Sequence, residues 1–454
     1  MLPSEWRAGI TLSGVYALRM LGMFLVLPVL ALHVQALGGS RAEGGMAIAA
    51  YALTQMCLQL PLGSASDRFG RKRVICLGLM VFAAGSFLAA YAQTPAMLVA
   101  GRALQGAGAV NAATTALLAD LTRDEVRTRA MSMVGLSIGL AFAAGTVLSP
   151  LLTRWLGGVP GLFALTGVLC LAAAAVVVWA VPNPQRSSLH EDTQAQPGRI
   201  REILANGQLM RLNFGIAVLQ TVMMAVFASL PFELAALGLA KESHWQIYLP
   251  AVLAGLVLMV PAIIAGETRG RLKTVFVSGI ALVAASLCGL YAGLHSLAAV
   301  GAALAVYFVG FNILEASMPS MVSKIAPADL KGTAMGVYNT AQSVGVFAGG
   351  AAGGRLYQHF GFGGVTAFAL AAVLLWLALA AAAPAPRPVK NVVLPVPEPL
   401  RTDLGSLKTR LQAVSGVEAV SFGGGGATVF IKALQQGFDI EHIRKILTGE
   451  QPCL

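Results

Sequence analysis

The sequence is poor in charge, in cysteine and in buried acid. Only 11% of its 454 residues are Asp, Glu, Lys or Arg, whereas a soluble domain carries roughly a quarter. So little polar surface cannot clothe the roughly three cores a soluble chain of this length would hold, which excludes a soluble multidomain protein. The five cysteines, Cys57, Cys76, Cys170, Cys288 and Cys453, have neither disulfide nor metal-ligand spacing. The first four read as small buried hydrophobes. No nucleophile, base and orienting group share a plausible site, so no enzyme, metal or organic cofactor is expected.

What the sequence does have is apolar length, with 57% hydrophobic residues. Crossing a hydrocarbon core roughly 30 Å thick takes about 20 mostly apolar residues. Such stretches run over 11–37, 44–66, 74–92, 96–120, 130–152, 162–181, 209–238, 245–266, 274–293, 297–321, 332–354 and 362–383. The first is too long for a cleaved signal peptide, and many more follow it. The net charge of +11 sits between the stretches, not along them. Arg68, Arg71, Lys72, Arg73, Arg123, Arg127, Arg129, Arg186, Arg199, Arg201, Arg211, Arg269, Arg271, Lys273, Lys324 and Lys331 fall in one set of loops. Only Arg41, Arg154, Lys241 and Arg355 fall in the other. By the positive-inside rule both termini are expected in the cytoplasm of a multi-pass membrane protein, and the basic balance needs no nucleic-acid partner.

The chain also repeats itself at offsets of roughly 200 residues: Pro28 with Pro231, Gly70 with Gly270, Ala130-Met131 with Ala334-Met335. Two parallel halves of six helices are one way secondary transporters are built, with a small-molecule site between them near the bilayer midplane. The expected division is a first half over 1–181, a cytoplasmic linker over 182–208 carrying Pro182, Pro184 and Pro197, a second half over 209–383, and a tail over 384–454.

One loop carries a specific motif. Gly63-Ser64-Ala65-Ser66-Asp67-Arg68-Phe69-Gly70-Arg71-Lys72-Arg73 resembles, along its whole length, the G-x-x-x-D-R-x-G-R-[KR]-[RK] signature of the major facilitator superfamily. Gly63 permits close helix approach, Gly70 a tight turn, and the basic run suits an anionic inner leaflet. The resemblance implies a charge network of Asp67, Arg71 and Asp120 that locks the halves on the cytoplasmic side. It also places Asp67 before the N-terminus of the eleventh helix, near Gly332 and Thr333, where the helix dipole favours an anion. A plain topological anchor is the competing reading. The counterpart loop, Gly266-Glu267-Thr268-Arg269-Gly270-Arg271-Leu272-Lys273, is a degenerate copy.

Polar residues inside the spans are few. Arg102-Ala103-Leu104-Gln105-Gly106 resembles the R-x-x-Q-G motif of the same superfamily, whose arginine is linked to proton coupling. A charge inside a span is costly unless it faces a cavity or a partner, which makes Arg19, Arg102, Glu233 and Glu315 the coupling candidates. Glu315, with Asn312 one turn earlier, is the better-placed acid, because a carboxyl whose surroundings alternate between dry and wet changes its proton occupancy. Tyr51, Gln55 and Gln59 recur on one face of the second helix and are expected to line a substrate cavity with Asn312, or to bond between helices. Met20, Met23, Met223 and Met224 suit either a pliable cavity wall or core filler.

In the fifth span, Gly135, Gly139, Gly145 and Ser149-Pro150 partly resemble the glycine-rich motif of drug/proton antiporters in this superfamily, with Ser-Pro where that motif has Gly-Pro. Gly145 and Pro150, and Gly345, Gly349 and Gly353 in the eleventh span, are expected to serve close helix packing. From residue 384 on, Pro384, Pro386, Pro388, Pro395, Pro397 and Pro399 punctuate a pattern of strand 389–396, helix 400–414, strands 417–422 and 427–431 and helix 438–447. That order suggests a small ferredoxin-like domain. It looks like a metallochaperone module without the Cys-x-x-Cys, so metal binding is not expected. About 65 residues make a marginal core, which docking on the bundle or on a dimer mate would help stabilise.

The fold class expected is therefore an all-α membrane protein with the twelve-helix major facilitator fold, plus a small α+β tail. The resemblance implies secondary active transport in a bacterial inner membrane, a proton gradient driving export of a small drug-like or metabolite molecule. The rival expectation is a sensor that reports a ligand to the tail without transporting it.

Overall fold

The structure is a computed structural model and describes residues 2–108, 110–122, 124–181, 200–240, 243–268, 272–327, 330–383, 389–423, 426, 428–434 and 440–448. The helices are α1 Pro3–Ala36, α2 Arg41–Phe69, α3 Arg71–Ala90, α4 Pro95–Ala107, α5 Asn111–Asp120, α6 Asp124–Trp155 and α7 Val159–Ala180. After most of the expected linker, which lies outside the described residues, come α8 Ile200–Ala205, α9 Gly207–Ala236, α10 Trp245–Thr268, α11 Leu272–Ala292, α12 Leu297–Ile325 and α13 Lys331–Ala382. Among the described residues, eight helices are long and apolar enough to cross a membrane.

One expected span is broken, and the last two follow each other without a loop. Those two, bounded together as α13, are separate helices that meet at Gly361, whose non-helical φ of 63° and ψ of -164° suit a residue without a Cβ. The fourth is split into α4 and α5 around Gly108, which sits so close to α3 that an added Cβ would come within 2.9 Å of Phe82 Cβ. Gly70, at φ 96°, forms the turn from α2 into α3.

Successive spans run in opposite directions. The start of α1, the α2–α3 turn and the end of α13 thus share one end of the bundle, called the terminal end here, while the α1–α2 and α9–α10 connections share the far end. Within the N-terminal helices α1 packs on α6 and α7, and α3 on α4 and α7; within the C-terminal helices α9 packs on α13, and α10 and α11 on α12. The two groups meet where α2 crosses α13 and where Phe142 of α6 packs against Phe308 and Phe311 of α12, ring centres 6.0 and 5.9 Å away.

Beyond α13, β1 Val389–Pro395, a 3-10 turn Glu398–Thr402, α14 Leu404–Gln412, β2 Val417–Gly423, β3 Thr428–Leu434 and α15 Ile440–Thr448 form a small unit. The strands make an antiparallel sheet in the order β1-β3-β2. Leu407 and Leu411 of α14 and Ile443 and Ile446 of α15 cover Val429 and Ile431. A complete ferredoxin-like fold takes a fourth strand, and residues 449–454 lie outside the described residues.

Candidate functional site

At the terminal end, Arg71 opens α3 and its guanidinium Nε donates to the carboxylate of Asp120, the last residue of α5. Both side chains are buried, and Arg71 also donates to the Ser66 hydroxyl at 3.3 Å. The Asp67 side chain lies outside the described residues, as do residues 269–271 of the counterpart loop. Lys72 donates to the carbonyls of Val178 and Val181, at 3.1 and 2.7 Å, satisfying acceptors that the end of α7 leaves open. Lys273 does the same for α13 through the Ala381 carbonyl at 2.8 Å. One basic residue in each loop is thus a C-terminal helix cap that composition alone did not reveal. Arg68 stays exposed, stacked on Phe69 at 5.6 Å. Gly63 faces α5, 3.3 Å from Ala112 Cβ for an added Cβ.

Removing one partner of a buried ion pair strands the other charge at a cost of about 3–5 kcal/mol, whereas replacing both with apolar residues is often neutral. Asp120→Ala should therefore lower the melting temperature of the detergent-solubilised protein markedly, and Arg71→Leu with Asp120→Leu should recover most of that loss. Equal destabilisation of the single and double variants would show that the pair itself is not what matters.

Deeper in the N-terminal helices, Arg19 and Arg102 are 1% and 2% exposed and converge on Tyr51. Arg19 donates to Asn111 Oδ1 and, at 3.1 Å, to the Tyr51 hydroxyl. Arg102 donates to the Gln105 carboxamide at 2.7 Å and to the Ala47 carbonyl at 3.3 Å, with its guanidinium 4.7 Å over the Tyr51 ring. Gln105 passes the chain on to the Ser86 hydroxyl at 2.7 Å. Neither arginine is within ion-pair distance of a carboxylate among the described residues. Their charges are met by amides, a carbonyl and aromatic faces, including Phe82 at 5.2 Å under Arg19. Tyr51 is therefore an interhelical hydrogen-bond partner. Gln55 and Gln59 on the same helix are half-buried, and the Gln55 carbonyl has no partner.

Glu315 sits apart, in the C-terminal helices. One carboxylate oxygen accepts from Gln220 Nε2 of α9 and the other from Gln342 Nε2 of α13, each at 3.1 Å, so a single acid on α12 ties three helices. Around it the hydroxyls of Tyr307 and Tyr338 and the amide nitrogen of Asn312 are buried without partners. Glu233 is elsewhere again, near the far end, where it accepts from the Tyr357 hydroxyl at 2.9 Å. The four charges named as coupling candidates thus occupy three places.

Of the methionines read as either cavity wall or core filler, Met20, Met223 and Met224 belong to the buried core and Met23 packs against it. Gly145 sits against Phe24 of α1, within 2.6 Å of its Cβ for an added Cβ, and Pro150 lies inside α6. Gly345, Gly349 and Gly353 line the contact of α13 with Ala217, Thr221 and Ala225 on α9. Missed in the sequence was the opposite face of the same helix. Gly350 and Gly354 meet Gly45 of α2 backbone to backbone, where the two groups of helices cross. The signal was present in the doubled Gly349-Gly350 and Gly353-Gly354, whose second members lie on another face.

The family model described as Major Facilitator Superfamily matches residues 12–350 and 264–448. The inner membrane transport protein YajR of Escherichia coli K12 is 39% identical over 92% of this chain and 92% of its own length. Multidrug resistance protein 1 of Bacillus subtilis is 26% identical, covering 78% of this chain and 92% of that protein. Among solved structures, a bacterial homologue of the human lysosomal transporter Spinster, inward-facing and occupied, superposes with a TM-score of 0.68 at 13% identity over 84% of this chain and 96% of that one. The nucleoside transporter NupG superposes with a TM-score of 0.67 at 12% identity over 83% and 99%. Likenesses at such identities speak for the fold alone.

Proposed function

The chain belongs to the major facilitator superfamily and is a membrane transporter, not an enzyme; from that premise we propose that it exports a small drug-like or metabolite molecule in exchange for protons, with Glu315 as the proton acceptor. The observation that carries this reading is the clamp on Glu315, a carboxyl within the apolar α12 whose two oxygens are held by amides from α9 and α13. An ionised carboxylate accepts both bonds; a protonated one keeps less acceptor capacity and gains a donor. Proton uptake therefore disturbs one of the two ties, and of these the one to Gln342 reaches the helix that crosses α2 at Gly350.

The two groups of helices would rock so that this crossing forms when the far end closes and parts when it opens. The far end is read as the periplasmic side, closed in this structure, and both termini as cytoplasmic in a bacterial inner membrane. The asymmetry of Lys and Arg between loops supports that orientation, and the similarity to YajR, an inner membrane transport protein, supports that membrane. Asp67, Arg71 and Asp120 would act as the cytoplasmic lock, and Gln55, Gln59 and Asn312 would face the substrate. The tail is read as ferredoxin-like, its strand order β1-β3-β2 supporting that assignment. Because β1 packs against α12, the helix that carries Glu315, the tail is read as a regulator docked on the bundle.

The test is flux in proteoliposomes: an imposed proton gradient should drive transport in a substrate screen and a protonophore should abolish it. A chain that moves nothing under any gradient would overturn the exporter. Removing residues 385–454 separates the sensor reading, since an exporter keeps a measurable share of its flux without the tail.

A further inference from the structure

At the far end a cluster of side chains bridges the two groups of helices, and neither the charge network nor the Glu315 clamp uses it. Arg41 is the first residue of α2, and its backbone is fixed by a reciprocal cap. The Ser40 hydroxyl accepts from the Glu43 N–H at 3.2 Å, and the Glu43 carboxylate accepts from the Ser40 N–H at 2.7 Å. The Ser40 N–H and the Ser40 hydroxyl, which donates to the same carboxylate at 3.0 Å, hold the Glu43 carboxyl below its ordinary range, so it stays ionised and the cap holds at neutral pH. From this mount the Arg41 guanidinium reaches across to the C-terminal helices. It lies 4.6 Å over the Tyr357 ring of α13 and 5.6 Å over the Phe232 ring of α9. The two rings stack on one another, centres 5.4 Å apart and 15° from parallel. The Tyr357 hydroxyl is anchored on Glu233 of α9, and the next peptide, Ala42 N–H, donates to Gln358 Oε1 at 3.1 Å.

These links differ in which helices they join. Phe232, Glu233 and Tyr357 are tied to one another within α9 and α13, which pack along the Gly345, Gly349 and Gly353 face, so a movement between the two groups of helices need not part them. Only the contacts of Arg41 and Ala42 run between the two groups. Two aromatic faces beside a carboxylate are what a guanidinium or quaternary ammonium ion selects. We propose that Phe232, Glu233 and Tyr357 form a preassembled organic-cation site at the far end, that Arg41 fills it as a tethered ligand when this end is closed, and that a free cation of guanidinium or tetraalkylammonium type competes with Arg41 and holds the end open. Opening leaves the site intact and removes only its occupant. The proposal rests on the reading that this end opens and closes, but not on proton coupling or on which side of the membrane it faces.

The test uses the full chain with its native cysteines replaced, carrying spin labels at Gln35→Cys and Ala236→Cys, the exposed ends of α1 and α9, in lipid nanodiscs where both faces meet solvent. Arg41→Ala should raise the open-to-closed ratio of the distance distribution by about threefold to tenfold, the scale of one or two partly exposed cation–π contacts. Arg41→Lys, a point charge without a planar face, should fall between. Methylguanidinium or tetramethylammonium should shift the Arg41 protein toward open, against sodium at equal ionic strength, and should lose that effect in Tyr357→Ala. An unchanged distribution in Arg41→Ala would overturn the latch. A cation shift that persists in Tyr357→Ala would overturn the site.

Discussion

Gly45→Val should prevent closure of the far end and reduce transport to background. An added Cβ at Gly45 would overlap the Gly350 carbonyl oxygen and lie 2.9 Å from both the Cα and the N of Gly354. Those atoms are backbone of a long helix that is itself packed on α9, so no side chain can turn aside to make room. Overpacking of this kind costs about 1–3 kcal/mol, and here the cost falls only on the closed arrangement, because the crossing is made between α2 and α13. That differential, about five- to a hundred-and-fiftyfold in the ratio of the two states, makes the open state predominant in a protein near balance. Gly350→Ala should have the same sign and a smaller size, its Cβ meeting the Gly45 carbonyl at 2.8 Å and Ala49 N at 2.9 Å. Gly14→Ala on α1, where an added Cβ meets nothing within 4 Å, should leave both flux and the distance distribution unchanged. The Gln35 and Ala236 label pair reads the distribution, and flux in the same preparation reads its consequence.

This crossing also shows how far local pattern carries. The eleventh expected span displays glycines every fourth residue at 345, 349 and 353, and they do line a helix contact, with α9. Their neighbours 350 and 354 face α2, some 300 residues earlier in the chain, and no periodicity within α13 reports what α2 brings to them. Long, apolar, evenly separated segments were legible because hydropathy is a property of each segment by itself. The Arg71–Asp120 contact was legible only through the resemblance of residues 63–73 to the superfamily's loop motif, which implies an acid partner at the end of the fourth span. Which buried charges share a site depends on how helices pack. In the sequence, Arg19, Arg102, Glu233 and Glu315 are alike in being charges within spans. In the structure two arginines meet at Tyr51, Glu233 holds Tyr357 at the far end, and Glu315 faces two glutamines. The residues that complete the last cluster, Gln220 and Gln342, are single amides in apolar helices without a motif. Only their distances to Glu315 give them a role.

Glu315→Gln should abolish proton-driven flux while leaving the protein folded. The substitution keeps the shape of the side chain and one acceptor oxygen, so the tie to one of the two glutamines survives and α12 remains anchored. The second bond cannot survive unchanged, since an amide nitrogen would face the amide nitrogen of Gln220 or Gln342 and one of the three amides must turn over. What is lost is the capacity to bind and release a proton, and removing a group that moves the proton costs about a hundredfold or more in rate. Flux down the substrate's own gradient needs no proton to be carried, so it should persist at a reduced rate and no longer respond to external pH. Gln342→Leu makes the complementary test. It leaves the acid in place and deletes its link to the helix that crosses α2, so proton binding should continue while its effect on the far end weakens. Removing a hydrogen bond to a charged group costs about 1.5–3 kcal/mol, and the consequence should appear as a smaller pH-dependent change in the Gln35 to Ala236 distance. If Glu315→Gln retains pH-dependent, proton-driven flux, the acceptor is another group. If Gln342→Leu keeps the full pH-dependent distance change, the coupling does not run through α13.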